Sequence, residues 1–92
     1  MDNVKVITLR PELQWFAEKM EETLQANDWK NGWKVMSSEE ILERLEEELD
    51  ELGVAMFSIQ PSARDIIKEA TDVANFAMFI AYIMKLNQIK TE

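Results

Sequence analysis

Two pairs of carboxylates, each spaced three residues apart, are the part of this 92-residue sequence most able to do chemistry. Glu48 and Glu51 form the first pair, in the run Leu45-Glu46-Glu47-Glu48-Leu49-Asp50-Glu51-Leu52. Glu69 and Asp72 form the second, in Lys68-Glu69-Ala70-Thr71-Asp72-Val73-Ala74-Asn75. On a helix, residues i and i+3 are neighbours on one side. Two such helices packed together bring four carboxylates to one point. Without compensation that cluster is strongly repulsive, and a hard divalent cation is the usual remedy. Histidine and cysteine are both absent, so oxygen alone must hold the metal. The expected ion is Mg²⁺, with Mn²⁺ as a substitute.

Composition limits the function classes. One domain is all that 92 residues allow, and a lone domain of this size is marginal in stability. The 18 acidic and 10 basic residues give a net charge of −8, which argues against a nucleic-acid polymer as partner. An acidic protein still binds a polyanionic nucleotide when metal ions bridge the two. Absence of cysteine excludes disulfides and thiolate zinc sites. The start Met1-Asp2-Asn3-Val4-Lys5-Val6 lacks the apolar core of a signal peptide, so a cytoplasmic protein is expected.

The elements that must position the carboxylates are helices. Pro11 suits a first helical turn, and Leu13, Phe16, Ala17, Met20 and Leu24 recur at amphipathic spacing as far as Ala26. Asn27 to Met36 breaks the pattern and contains Gly32, which predicts a loop. Ser37-Ser38-Glu39-Glu40 reads as a capping box opening a second helix, with Ile41, Leu42, Leu45, Leu49, Leu52 and Met56 on its apolar face. Gly53 either ends that helix or sits within it. Gln60-Pro61-Ser62 is the next break, and Ser62-Ala63-Arg64-Asp65 repeats the cap before a third helix running to about Ile89. Val4 and Val6 alternate in a way that fits an edge strand or a tail. The fold class is therefore all-α, three main helices per chain.

From Val73 to Met84 every residue except Asn75 is apolar. A helix apolar all round must be buried on all sides, and two short partner helices cannot wrap it. The run is too short to span a membrane, which takes roughly 20 residues, and charges flank it. A helical bundle completed by homo-oligomerisation, as a homo-dimer or homo-tetramer, is expected. Around the second helix, Glu48 and Glu51 fall on the flank of the apolar stripe. Glu46 and Asp50 fall on the other side, as ordinary surface charges.

Glu47-Glu48-Leu49-Asp50-Glu51 followed by Glu69-Ala70-Thr71-Asp72 resembles the EExxE and ExxD signature of the MazG-like all-α nucleoside triphosphate pyrophosphatases, in particular their short phage-type members. Residues 52–68, the 17 between the motifs, fit that family's spacing, and the resemblance covers about residues 28 to 84. It implies hydrolysis of a nucleoside triphosphate to the monophosphate and pyrophosphate with Mg²⁺, as nucleotide-pool housekeeping. By motif, Glu48, Glu51, Glu69 and Asp72 would hold metal, and Glu47 would orient or deprotonate the attacking water. Larger relatives carry a further helix after ExxD. Here either the long third helix takes that place through a dimer, or the site is incomplete.

A nucleobase needs a flat, apolar and partly polar pocket. Trp29 and Trp33 either stack on it or form a lid over the small core, and Asn75 either bonds its edge or is a satisfied core amide. Lys30, Lys34, Arg44 and Lys68 either contact phosphates or balance surface acids. Trp15 falls nearly opposite the apolar stripe of the first helix, where a partner subunit would meet it. Two other readings stand beside the hydrolase. One is a non-catalytic helical oligomer, an interaction module whose acids only solubilise it. The other is a phosphoribosyl-ATP pyrophosphohydrolase-like enzyme on the same scaffold.

Overall fold

A proline at position 11 and serines at 37 and 62 set where the three helices begin. In the computed structural model α1 spans Pro11–Ala26, α2 Ser38–Met56 and α3 Ala63–Thr91. The description covers residues 5–91, without the side chains of residues 28–31 and 89–91. Val4, half of the expected strand alternation, and the side chains of Trp29 and Lys30 thus lie outside the described residues. Residues 5–10 have no regular structure, and no strand occurs among the described residues.

Each helix start follows from its own chemistry. Pro11 occupies the first turn of α1, where its missing N–H costs nothing, and the Arg10 carbonyl accepts from the N–H groups of Leu13 and Gln14 at 3.1 and 3.0 Å. α2 opens with a reciprocal capping box. The Glu40 N–H donates to Ser37 Oγ at 3.1 Å, and the Ser37 N–H donates to Glu40 Oε1 at 3.2 Å. Ser62 repeats half of the motif, its Oγ accepting from the Asp65 N–H at 3.2 Å. Gly53 sits inside α2, and a Cβ there would meet nothing within 4 Å. It neither ends the helix nor admits a close neighbour.

The segment expected as a loop is wound instead. Residues Asp28–Val35 form a 3₁₀ helix. Its anchor is Trp33, which stacks on Phe79 of α3 with ring centroids 4.1 Å apart and meets Tyr82 edge-on at 6.1 Å. Gly32 does not interrupt it, because short 3₁₀ pieces pair their own backbone groups and serve as connectors.

α2 packs most extensively against α3, and α1 lies along α3 over a smaller contact. The apolar interior is small. Among described residues only Ile41 and Phe79 are buried hydrophobics, joined by the buried polar residues Thr71 and Asn75. Of the expected α2 face, Ile41 is buried and Leu45 and Leu52 are half-buried. Leu42, Leu49 and Met56, spaced seven residues apart, are about half exposed. Val54, Phe57 and Ile59 project into solvent at the α2–α3 corner. In the 73–84 run of α3 half the residues are half-buried, Asn75 and Phe79 are buried, and Ala77, Ala81, Tyr82 and Met84 are exposed. The burial on all sides that this run predicts is not reached within one chain. The chain exposes 7593 Å², against roughly 5,500 Å² for a compact monomer of its mass. Its radius of gyration is 15.5 Å, against about 12 Å for a compact domain of this length. No helix among the described residues is long and apolar enough to cross a membrane.

Since the α2 cap is reciprocal, removing it should register as a discrete loss. Ser37→Ala is expected to destabilise the protein by about 1 kcal/mol, lowering Tm by about 4–8 °C at fixed protein concentration. Ser58→Ala, whose hydroxyl only bonds the Ala55 carbonyl, should shift Tm far less. Equal shifts from the two substitutions would contradict the capping account.

Candidate metal and ligand site

The close packing of α2 on α3 decides where the acidic side chains meet. Glu48, Glu51 and Glu69 each offer a carboxylate oxygen, and these oxygens lie within 4.8 Å of one another. Two of the three come from one face of α2 and the third from α3, as the i, i+3 spacing requires. Glu69 and Asp72 are only 17 and 18% exposed, so their charges are partly desolvated.

Three features reveal how crowded this corner is. First, burial pushes the Glu48 carboxyl up from 4.5 to about 7. The Glu51 charge, a hydrogen bond shared with Glu51, and the charges of Asp72 and Glu69 add to that effect. Second, Lys68 bridges the α3 pair, its Nζ 3.3 Å from both Glu69 Oε1 and Asp72 Oδ2. Asp72 above all holds the Lys68 ammonium above its ordinary range. Third, Glu69 Oε2 is buried and accepts no hydrogen bond. An all-oxygen donor set, a shared proton and an orphaned anionic oxygen fit a hard divalent cation.

The cluster borders two concavities. The larger, about 810 Å³, lies between the C-terminal end of α1, the 3₁₀ segment, α2 and α3. Glu48, Glu51, Lys68 and Asp72 line one part of it, and Trp33, Phe76 and Phe79 another. The smaller, about 380 Å³, includes Asp50, Glu51, Asp65 and Glu69. The second carboxylate pair is thus divided: Asp72 faces the larger cavity, Glu69 the smaller, and Glu51 borders both. Asp72 stands outside the group of three, held by Lys68, yet its charge still acts on Glu48.

Other expected site residues are placed unevenly. Glu47 is exposed, with Oε2 3.7 Å from Arg44 Nε, and lines neither cavity. Lys34 is exposed beside Trp33, its Nζ 5.6 Å from the ring centroid, and does not line the cavity. Lys68 does line it, but its ammonium is engaged by carboxylates. Trp33 lines the cavity while packing one face on Phe79, so it is a core lid and a cavity wall together. Asn75 is 3% exposed, with Nδ2 donating to the Met20 carbonyl at 3.3 Å and Oδ1 unpartnered. Arg44, 5.7 Å from the Phe76 ring centroid, adds a cation to the lining. Phe76 and Phe79 were legible only as members of an apolar run, since nothing local separates a cavity wall from core. The Met20 carbonyl has no sequence signal at all.

No family model matches this chain, and no curated protein or solved structure is similar enough to count as a match.

Stability should carry the mark of the crowded acids. The folded protein keeps a proton on Glu48 that the unfolded chain releases at its ordinary value. That contribution is complete below the ordinary value and is lost as pH rises from 4.5 to about 7. In chelator, wild type should therefore fall in stability relative to Glu48→Gln across that window, measured by urea unfolding at each pH. Parallel curves would show that Glu48 is not crowded.

Proposed function

We propose that this chain is a Mg²⁺-dependent nucleoside triphosphate pyrophosphohydrolase, with Mn²⁺ able to replace Mg²⁺. The observation that supports it best is the convergence of Glu48, Glu51 and Glu69 from two helices, with Glu48 and Glu51 at the edge of a cavity walled by aromatic rings. Two helices contribute to this group, and one of its oxygens, Glu69 Oε2, is buried without a hydrogen-bond partner.

The overall reaction adds water across one bond. A water oxygen bonds to the α-phosphorus, the bond from that phosphorus to the α,β-bridging oxygen breaks, and pyrophosphate leaves. Bound Mg²⁺, held by Glu48, Glu51, Glu69 and Asp72, would neutralise phosphate charge and acidify the water. The carboxylates must shed the Glu48 proton and release Lys68 to do this. Freed from Glu69 and Asp72, Lys68 is positioned to pair with a phosphate oxygen. Glu47 would take the role of water base by its place in the motif, one turn before Glu51 on the same side of α2. Its exposed pair with Arg44 is weak enough to open. Trp33, Phe76 and Phe79 offer the apolar surface a base requires.

Assembly as a homo-dimer or homo-tetramer belongs to the same proposal. Surface in excess of a compact monomer is on the order of 2,000 Å², within the range that stable subunit interfaces bury. Leu42, Leu49 and Met56 form a seam at heptad spacing that a second copy of α2 fits. The same surface favours a second reading, a non-catalytic helical oligomer, which requires neither metal nor cavity.

Two experiments test these readings. A panel of nucleoside triphosphates assayed for pyrophosphate release with Mg²⁺ tests activity directly. Glu48→Gln and Asp72→Asn should lower turnover at least about 100-fold, remove the stability gained from millimolar Mg²⁺, and be neutral or stabilising in chelator. Glu46→Gln should change none of these. A wild type with no metal-dependent stability and no pyrophosphate release would leave the non-catalytic reading standing. Sedimentation at micromolar concentration should show a dimer or larger species, which Leu49→Glu dissociates or unfolds. A well-folded monomer at that concentration would contradict the assembly.

A further inference from the structure

Asn75 is a polar residue that the packing of this chain leaves half satisfied. Its Nδ2 donates to the Met20 carbonyl oxygen of α1 at 3.3 Å, while Oδ1 is buried without a partner. A carbonyl oxygen can only accept, so the bond to Met20 fixes which end of the amide is which. What remains is an acceptor alone, on a side chain 3% exposed that lines the larger cavity. Leaving such an oxygen unpaired is costly, and a ligand hydrogen would remove the cost.

The order of residues along α3 says what kind of donor reaches it. Asp72, Asn75 and Phe79 all line the cavity. At 1.5 Å per residue, Asn75 stands about 4.5 Å beyond Asp72 along the helix axis, and Phe79 about 6 Å beyond Asn75. Carboxylates and Lys68 mark one end of this row. At the other, Phe79 and Trp33 form an aromatic wall. A nucleotide laid along the row, phosphates at the charged end and base at the aromatic end, has its sugar beside Asn75.

We propose that Asn75 Oδ1 accepts a hydrogen bond from a sugar hydroxyl of the bound nucleotide, making Asn75 a specificity-determining residue for the sugar. The inference rests on the nucleotide reading above and deepens it. A ligand that lacks the hydroxyl leaves the buried acceptor unpaired, which is how a polar site rejects an analogue.

Equilibrium titration in Mg²⁺ with non-hydrolysable α,β-imido nucleotides tests this. The set comprises cytidine triphosphate analogues with ribose, 2′-deoxyribose and 2′,3′-dideoxyribose, and the uridine counterpart of each. For the wild type, loss of one of the two hydroxyls should weaken binding about 10-fold or more. In Asn75→Ala the same loss should change binding less than about twofold, while a merely structural Asn75 would weaken all six ligands alike. Exchange of the base amino group for a carbonyl should have the same effect in both proteins. If Asn75→Ala does not fold, the wild-type series decides alone. Wild-type affinities within about twofold across the sugars, or an Asn75-dependent preference for the amino group, overturn this inference and leave the nucleotide reading intact. Failure of all six to bind overturns this inference, and failure of the adenosine and guanosine counterparts as well overturns the nucleotide reading with it.

Discussion

Mutual repulsion among the carboxylates of α2 and α3 is the constraint on which the rest of this structure turns. The two helices must lie close, because Ile41 and Phe79 are the buried hydrophobics that the described residues supply. Close packing drives Glu48, Glu51 and Glu69 together. Two devices offset the repulsion: a proton retained by Glu48 to about pH 7 and the Lys68 ammonium lodged between Glu69 and Asp72. Both are exchangeable. A proton leaves as pH rises, and an exposed lysine swings away at little cost. An acidic corner stabilised in this provisional way is poor material for a permanent structural contact and well suited to receive a cation.

Arrangement around that corner connects packing with recognition. α3 passes from the carboxylates to the aromatic wall in about two turns, so one rigid element carries both ends of the cavity. α1 supplies the Met20 carbonyl that orients Asn75, and the 3₁₀ segment brings Trp33 onto Phe79. The cost is a thin interior. A chain that spends buried positions on Thr71 and Asn75 has few left for apolar packing, and much of its α2 stripe stays in water. Polar cavity and exposed stripe thus go together in this packing.

Much of the helical plan was legible because its signals are local. Pro11 and the serines at 37 and 62 mark helix starts through bonds made within four residues. The pairing of Glu48 with Glu51 follows from helical periodicity alone. What could not be read depends on contacts between distant segments. Helical periodicity already separates Glu48, on the flank of the apolar stripe, from Glu47, but it does not show that Glu47 pairs with Arg44 in solvent and borders neither cavity. Asp72 matches the motif as well as Glu69, and Lys68 pairs with both, yet only Glu69 joins Glu48 and Glu51 in the group of three. The 27–36 segment looked irregular because Gly32 weighs against a helix locally, whereas stacking of Trp33 on Phe79 is a tertiary effect. Exposure of Leu42, Leu49 and Met56 was likewise hidden, since periodicity shows which face is apolar and not what covers it.

Proton release on metal binding addresses the central claim most directly. If Mg²⁺ or Mn²⁺ occupies the carboxylate cluster, it must displace the proton that Glu48 retains. Calorimetric titration at pH 7 in two buffers of different ionisation enthalpy counts that proton. The account predicts release of about half a proton per site, as expected for a group titrating at about 7, and none for Glu48→Gln. Absence of metal binding, or binding without proton release by the wild type, would contradict it.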